Sequence, residues 1–391
     1  MTLNLDKTEW KRVTLGEVAA ASKEKVDPTD GSVERYIAGE HMDTDDLKIH
    51  RWGDIGEVDL GPAFHRRFRP GQVLYGSRRT YLRKVAVADF DGVCANTTFV
   101  VETKDEGALL QEFLPFIMTA EPFHAFAIAE SKGSVNPYVN WSDIERYDFD
   151  LPPLDEQKRI ADLLWTLEAA LAANVEVSNE IALLTTVAFE AVAEGRTTTG
   201  LRSWVARIDA GRSPRAAAEP ADVNQVGVLK VSAVGRDVFV ASENKRLLDP
   251  DDFRPSDVVR AGDVLVTRAN AVVNNVARPC IVDRDYPNLM LSDKTLRLVP
   301  RAGYPNRVVL AALQSPGFRA YVGEVVNGTE AKNISQAKIL AGPVPDLGID
   351  TVVSLSVRLA LLDRASQAAA GEMSRLTRLK AALLASVFGG N

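Results

Sequence analysis

Seven basic residues fall between Phe64 and Lys84 with no acid among them: Arg66, Arg67, Arg69, Arg78, Arg79, Arg83 and Lys84. Phe64, Phe68, Tyr75 and Tyr81 are interleaved with them. Guanidinium forks of this kind suit phosphate contacts and two-bond reading of guanine edges. A second stretch, Arg268-Ala-Asn270-Ala-Val-Val-Asn274-Asn275-Val-Ala-Arg278, mixes arginine with asparagine, whose amide pairs with adenine as arginine does with guanine. A polar loop, Ser131-Lys132-Gly133-Ser134-Val135-Asn136-Pro137-Tyr138-Val139-Asn140, has a counterpart at Asn327-Gly-Thr-Glu-Ala-Lys332-Asn333, and both could approach a phosphate backbone. A solvated basic face and ordinary turns would use the same residue types, so these stretches alone leave both readings open.

Other chemistries find less support. The histidines His41, His50, His65 and His124 have no i,i+4 spacing and no neighbouring cysteine, so no metal site is expected. There is no Gly-x-x-x-x-Gly-Lys-Ser/Thr loop for ATP and no Gly-x-Ser-x-Gly elbow. Asn136-Pro137-Tyr138 approaches the loop that adenine methyltransferases use to hold an extruded base, but it lacks the second proline and reads as a turn. No catalytic residue is assigned. Cys94 and Cys280 make no disulfide framework, and no apolar run reaches the ~18 residues of a membrane helix. Without a signal-peptide core at the N-terminus, the expectation is a cytoplasmic protein with no membrane partner.

The candidate loops sit at matching places in a duplicated chain. Arg69-Pro-Gly71-Gln-Val73-Leu74 returns as Arg260-Ala-Gly262-Asp-Val264-Leu265, and Leu151-Pro-Pro-Leu154 as Val344-Pro-Asp-Leu347. Asn140-Trp-Ser142 is echoed by Asn333-Ile-Ser335. An offset near half the 391-residue length means duplicated domains and not a solenoid. In each copy, short β-rich runs such as Gln72–Tyr75 and Asp263–Thr267 alternate with turn clusters and a helical patch, which predicts an α+β fold. Residues 155–194 and 350–388 hold no Gly or Pro except Gly371 and are rich in Ala, Leu and Glu, so each predicts a long helix. Their apolar seams alternate in steps of three and four. The first is Leu163, Leu167, Ala170, Asn174, Val177, Ile181, Leu184, Ala188, Ala191. The second is Val352, Leu355, Leu359, Leu362, Ser366, Ala369, Met373, Leu376, Lys380, Leu383, Val387. That mean of ~3.5 is a coiled-coil period, and ~40 residues would span roughly 60 Å as a spacer.

The net charge of −7 looks wrong for a nucleic-acid binder, but it is unevenly placed. Residues 1–154 carry −8, residues 155–196 carry −5, residues 197–345 carry +5 and residues 346–391 carry +1. The acid-free Arg-rich stretch lies inside the most acidic segment. An acidic first helix suits a protein-facing surface better than one facing phosphate.

Duplicated mixed domains, each with a basic or amide-rich loop and a long helix behind it, resemble the specificity subunits of Type I restriction–modification systems. Leu151-Pro-Pro-Leu-Asp-Glu-Gln-Lys-Arg-Ile-Ala161 is similar to that family's Pro-Pro-Leu-x-Glu-Gln-x-x-Ile-Ala signature. Val387-Phe-Gly-Gly390 is similar to its closing Leu-Phe-x-Gly. The second copy differs, with Ile349-Asp-Thr-Val-Val353 where the first has Glu156-Gln-Lys-Arg-Ile160. The resemblance implies two mixed α/β target-recognition domains, 1–154 and 197–345. It also implies two conserved helices, 155–196 and 346–391, packed as an antiparallel coiled coil. The function it implies is reading of a bipartite double-stranded DNA target, one half-site per domain, with no catalysis and no bound cofactor in this chain. S-adenosylmethionine, ATP and Mg would belong to modification and restriction subunits. The DNA contacts would come from Arg66, Arg67, Arg69, Arg78, Arg79, Tyr81, Arg83, Lys84, Lys132, Asn136 and Tyr138 in the first domain. Arg268, Asn270, Asn274, Asn275, Arg278 and Lys332 would serve the second. A stand-alone adenine methyltransferase and a coiled-coil adaptor that never touches DNA are the alternatives.

Overall fold

The computed structural model describes residues 5–57, 60–235, 238–326 and 332–389. The chain forms two compact units, one of residues 1–175 with 371–391 and the other of residues 176–370. The two long helices, Leu154–Ala193 and Ile349–Phe388, each contribute to both units.

Unit 1 stacks two four-stranded sheets. The first has the order Ala19–Ala21, Thr98–Thr103, Val73–Gly76, Val85–Val87, all antiparallel. The second has the order Gly53–Asp54, Arg35–Ile37, Gly92–Ala95, Phe64–Phe68, with one parallel pair, Arg35–Ile37 beside Gly92–Ala95. Strand period decides what each residue meets. Val73 and Tyr75 point into a core with Phe113, Ile117 and Phe123 from the helical segment, whereas Leu74 between them meets Ile37, Phe68 and Cys94 of the second sheet. A two-stranded ribbon, Lys11–Thr14 against Asp148–Leu151, leads into the first long helix.

Unit 2 repeats the plan strand for strand. Its first sheet runs Val205–Ala210, Thr295–Pro300, Val264–Thr267, Pro279–Ile281; its second runs Asn244–Arg246, Gly227–Leu229, Tyr286–Met290, Val258–Val259, again with one parallel pair. Val264 and Val266 join the helix-side core and Leu265 the inter-sheet core. The recurring Arg-x-Gly-x-Val-Leu motif is a turn that launches this central strand. Gly71 and Gly262 have φ of +88° and +84°, a backbone conformation that residues other than glycine rarely adopt. The residue after each glycine accepts a hydrogen bond from the arginine amide, at 2.7 Å for Gln72 and 3.0 Å for Asp263. The other echo shifts. Val139 N donates to Ser77 O and Ile334 N to Arg268 O, so Asn140 corresponds to Ser335 and not to Asn333. Both start short helices as N-caps, Trp141–Ile144 and Gln336–Ala341.

The long helices pack antiparallel. In unit 1, Ile160, Leu164 and Leu167 share a core with Leu383, Val387 and Phe388; in unit 2, Phe189 packs with Val352, Leu355 and Leu359. Every position of the second helix's expected seam is buried or half-buried except Ser366. The first helix's seam needs correction. Leu163, Val177 and Leu184 are 42%, 46% and 53% exposed; at the first and last of these steps the covered line runs one residue on, through Leu164 and Thr185, while Ser178 after Val177 is exposed as well. Large apolar residues lie on both the packed and the outer face, and a hydrophobicity count cannot tell the two apart.

The N-terminal signature is explained by what it holds. Gln157 is fully buried; its amide nitrogen donates to Ala108 O (2.9 Å) and Pro152 O (2.8 Å), and its oxygen accepts from Leu110 N (2.9 Å). Glu156 accepts from the Trp10 indole at 2.9 Å. These bonds tie the helix start to the β-domain. Asp350 and Thr351 of the second helix make no such side-chain bonds among those described.

Candidate nucleic-acid interface

In unit 1, the chain leaving strand Val73–Gly76 meets the polar loop 131–140. Ser77 O accepts from Val139 N at 3.0 Å, Arg79 N donates to Pro137 O at 2.6 Å, and Arg78 faces Tyr138 in an antiparallel bridge. Lys132 and Tyr138 exchange backbone hydrogen bonds of 2.8 and 2.9 Å, which closes 132–138 into a hairpin. Thr80 Oγ1 lies 2.7 Å from Ser131 Oγ. Two loops distant in sequence thereby form one surface on which Arg78, Arg79, Tyr81, Asn136 and Tyr138 are exposed. Asn136-Pro137-Tyr138 is the returning arm of the hairpin.

The turn Thr80–Leu82 is bracketed by two left-handed residues, Arg79 (φ 51°) and Arg83 (φ 52°). Such a conformation costs a non-glycine residue of order 1–3 kcal/mol and persists only where neighbours enforce it. At Arg83 the neighbours are carboxylates: Nε donates to Asp45 at 2.8 Å and Nη1 to Glu121 at 2.7 Å.

The other unit 1 basic residues are engaged within the unit. Arg67 pairs with Asp91 at 2.7 Å and Arg69 with Glu24 at 2.6 Å, and these guanidinium groups hold both carboxyls below the usual range. Arg66 donates to Thr98 O at 2.9 Å and lies over the Phe99 ring. The Lys84 ammonium donates to Gly39 O. Lys132 donates to both Asp143 oxygens, at 2.8 and 2.9 Å, and lowers the Asp143 pKa.

Unit 2 builds the same junction with other side chains. Ile334 N donates to Arg268 O at 3.1 Å, and Ala269–Asn270 pairs antiparallel with Lys332–Asn333. The turn Val273–Asn275 follows, with Ala277 left-handed at φ 50°. Asn275 accepts from Arg278 and donates to Asn270 Oδ1 at 3.4 Å, while Asn270 Oδ1 also accepts from Val272 N at 3.0 Å. Arg268 and Asn274 are exposed. Residues 327–331 of the second polar loop lie outside the described residues, so the surface is defined here by 268–278 with 332–334.

Comparison with known proteins places the architecture. Residues 7–183 match the Type I restriction modification DNA specificity domain. The Escherichia coli Type I restriction enzyme EcoDI specificity subunit is 28% identical over 151 residues, 39% of this chain and 33% of that protein. The EcoEI specificity subunit of the same organism is 40% identical over 94 residues, 24% of this chain and 16% of the relative. This chain resembles that specificity domain over its first β-domain and most of its first long helix. Its matches span a third or less of those curated relatives' lengths. The fold likeness extends over the whole chain: the crystal structure of a Type I restriction-modification S subunit from M. genitalium covers 100% of both chains with a TM-score of 0.61 at 12% identity.

The Glu156-Gln157 motif was legible in the sequence, but its role in holding 108–110 and 152 was not. Asp45 and Glu121, which hold Arg83, and Arg319, whose guanidinium donates to the backbone carbonyls of Asn274, Val276 and Ala277, carried no signal in the sequence, because each is a lone charge in a polar surrounding. No helix among the described residues is long and apolar enough to cross a membrane, and no group of three His, Cys, Asp or Glu is placed to hold a metal.

Proposed function

We propose that this chain reads a bipartite double-stranded DNA target, one half-site with each unit's paired loops, on behalf of a Type I modification–restriction assembly. The observation that carries the reading is the repetition of one loop junction on two matching scaffolds with different exposed side chains. Unit 1 presents Arg78, Arg79, Tyr81, Asn136 and Tyr138; unit 2 presents Arg268 and Asn274, with Asn270, Asn275, Arg278 and Lys332 alongside. Arginine is suited to guanine edges and phosphates, asparagine to adenine. Arg66, Arg67, Arg69, Arg83, Lys84 and Lys132 hold the first surface in place, since each would have to give up an internal partner before taking a phosphate.

In this reading methyl transfer and cleavage, with S-adenosylmethionine, ATP and Mg, belong to the modification and restriction subunits, and the assembly works in the cytoplasm. Exposed apolar residues on the long helices offer docking area: Leu183, Leu184 and Val187 on the first, Val353, Val357 and Leu361 on the second. The experiment is methylation-site mapping of genomic DNA by this chain co-expressed with its modification subunit. A single bipartite motif is the expected result. Unselective methylation, or the same motif from the modification subunit alone, would overturn the reading.

A further inference from the structure

We infer that Arg319 is the positioning residue of the second reading loop, setting specificity in the half-site read by unit 2 without itself being presented at the loop surface. The inference rests on the DNA-reading role proposed above for the loops.

Arg319 lies in the helix Pro316–Val325. Its Nη1 donates to Ala277 O at 3.0 Å, and its Nη2 donates to Asn274 O at 3.1 Å and Val276 O at 2.8 Å. Three carbonyls within four consecutive residues converge on one planar group. Those residues include left-handed Ala277 and the exposed Asn274, so the guanidinium fixes the backbone from which the Asn274 amide projects. A guanidinium presents its donors in a rigid fork, which an ammonium cannot reproduce. No carboxylate among the described residues lies within ion-pair distance of Arg319, so its charge stays uncompensated beneath the loop. Burial, with Arg278 nearby, correspondingly lowers its pKa.

Unit 1 solves the same problem with opposite polarity. The helix Glu121–Ala129 occupies the place of Pro316–Val325 in the repeat, and its Glu121 carboxylate holds a loop arginine, Arg83, which is left-handed like Ala277. One helix clamps each loop: in unit 1 the helix supplies the acid and the loop the cation, while in unit 2 the helix supplies the cation and the loop bare carbonyls. Ala277 has no side chain able to reach a carboxylate, which leaves the backbone as the only handle.

The test maps methylation sites for the complex carrying Arg319→Ala, Arg319→Lys or Asn274→Ala, at equal amounts of assembled complex. With Arg319→Ala, discrimination at the second half-site falls about tenfold or more while the first half-site keeps its sequence; Arg319→Lys recovers part of the loss. Asn274→Ala reports on the underlying reading: if it changes neither half-site, that reading of the loop fails. If Asn274→Ala relaxes the second half-site and Arg319→Ala does not, the loop reads DNA and the clamp is refuted. If Arg319→Ala weakens all sequences alike with a salt slope lower by about one, Arg319 contacts phosphate and does not position the loop. Loss of both half-sites together would also refute it.

Discussion

The Leu110 amide donates to the Gln157 side-chain oxygen at 2.9 Å, joining the first turn of a 40-residue helix to a loop of the β-domain. Because Gln157 is fully buried and also donates to Ala108 O and Pro152 O, its replacement strands several backbone groups at once. Gln157→Ala should destabilise unit 1 by about 2–4 kcal/mol, since each buried group left unpaired costs about 1–3 kcal/mol and relaxation recovers part of it. Denaturant unfolding followed by tryptophan fluorescence would measure it. A loss under about 0.5 kcal/mol would mean that water or the backbone takes over the bonds.

Lys380 and Glu168 face each other at 2.5 Å between the two long helices of unit 1, both largely buried. Lys380→Met should cost about 1–3 kcal/mol by leaving the Glu168 carboxylate without its ion-pair partner in a partly dry seam. Combining Lys380→Leu with Glu168→Leu should return most of that loss, because an apolar pair needs no compensation. Thermal melts of the single and double variants check this: a double variant as unstable as the single would assign the effect to packing.

His124 is buried beside Arg83, Glu121 and Asp45, and burial, together with the Arg83 charge, lowers its pKa to about 4. The unfolded chain binds its proton near pH 6.5, so between pH 6.5 and 4 the unfolded state holds more protons than the native one. Stability is therefore complete above pH 6.5 and falls as the pH drops toward 4, by up to about 3 kcal/mol from this group. His124→Gln should flatten that part of the stability–pH curve. Equal slopes for the two proteins would rule out His124 as the source.

Exposed Arg78 and Arg79 can meet phosphates as well as bases, whereas Asn274 is suited to a base edge. Replacing Arg78 and Arg79 by Ala should weaken binding generally, flatten the salt dependence and relax the first half-site. Asn274→Ala should cost about 1–3 kcal/mol at one position of the second half-site and leave the salt slope unchanged. Binding titrations of the assembled complex at several salt concentrations, with matched and single-mismatch duplexes, separate the two patterns.

The duplicated plan was visible in the sequence because its carriers are backbone necessities, such as the positive φ of Gly71 and Gly262. The second helix was legible at the level of its seam, since its apolar residues lie where they pack. The first was not: it puts Leu163, Val177 and Leu184 outward and covers smaller or polar residues such as Thr185. At the loops, residue types located the surfaces but could not separate displayed arginines from paired ones. Arg67 and Arg78 look alike in sequence, and the positions of Asp91 and Glu24 distinguish them.

Unit 1 draws its core from both ends of the numbering, with Phe113 and Leu164 packing against Leu383, Val387 and Phe388. During synthesis those last residues emerge about two hundred positions after Leu167, when everything that unit 2 needs has already left the ribosome. The β-domain translated first must wait with an uncovered apolar face while the domain translated second closes. Synthesis order and completion order are thus reversed, and any nascent-chain chaperone would be needed longest by the N-terminal domain.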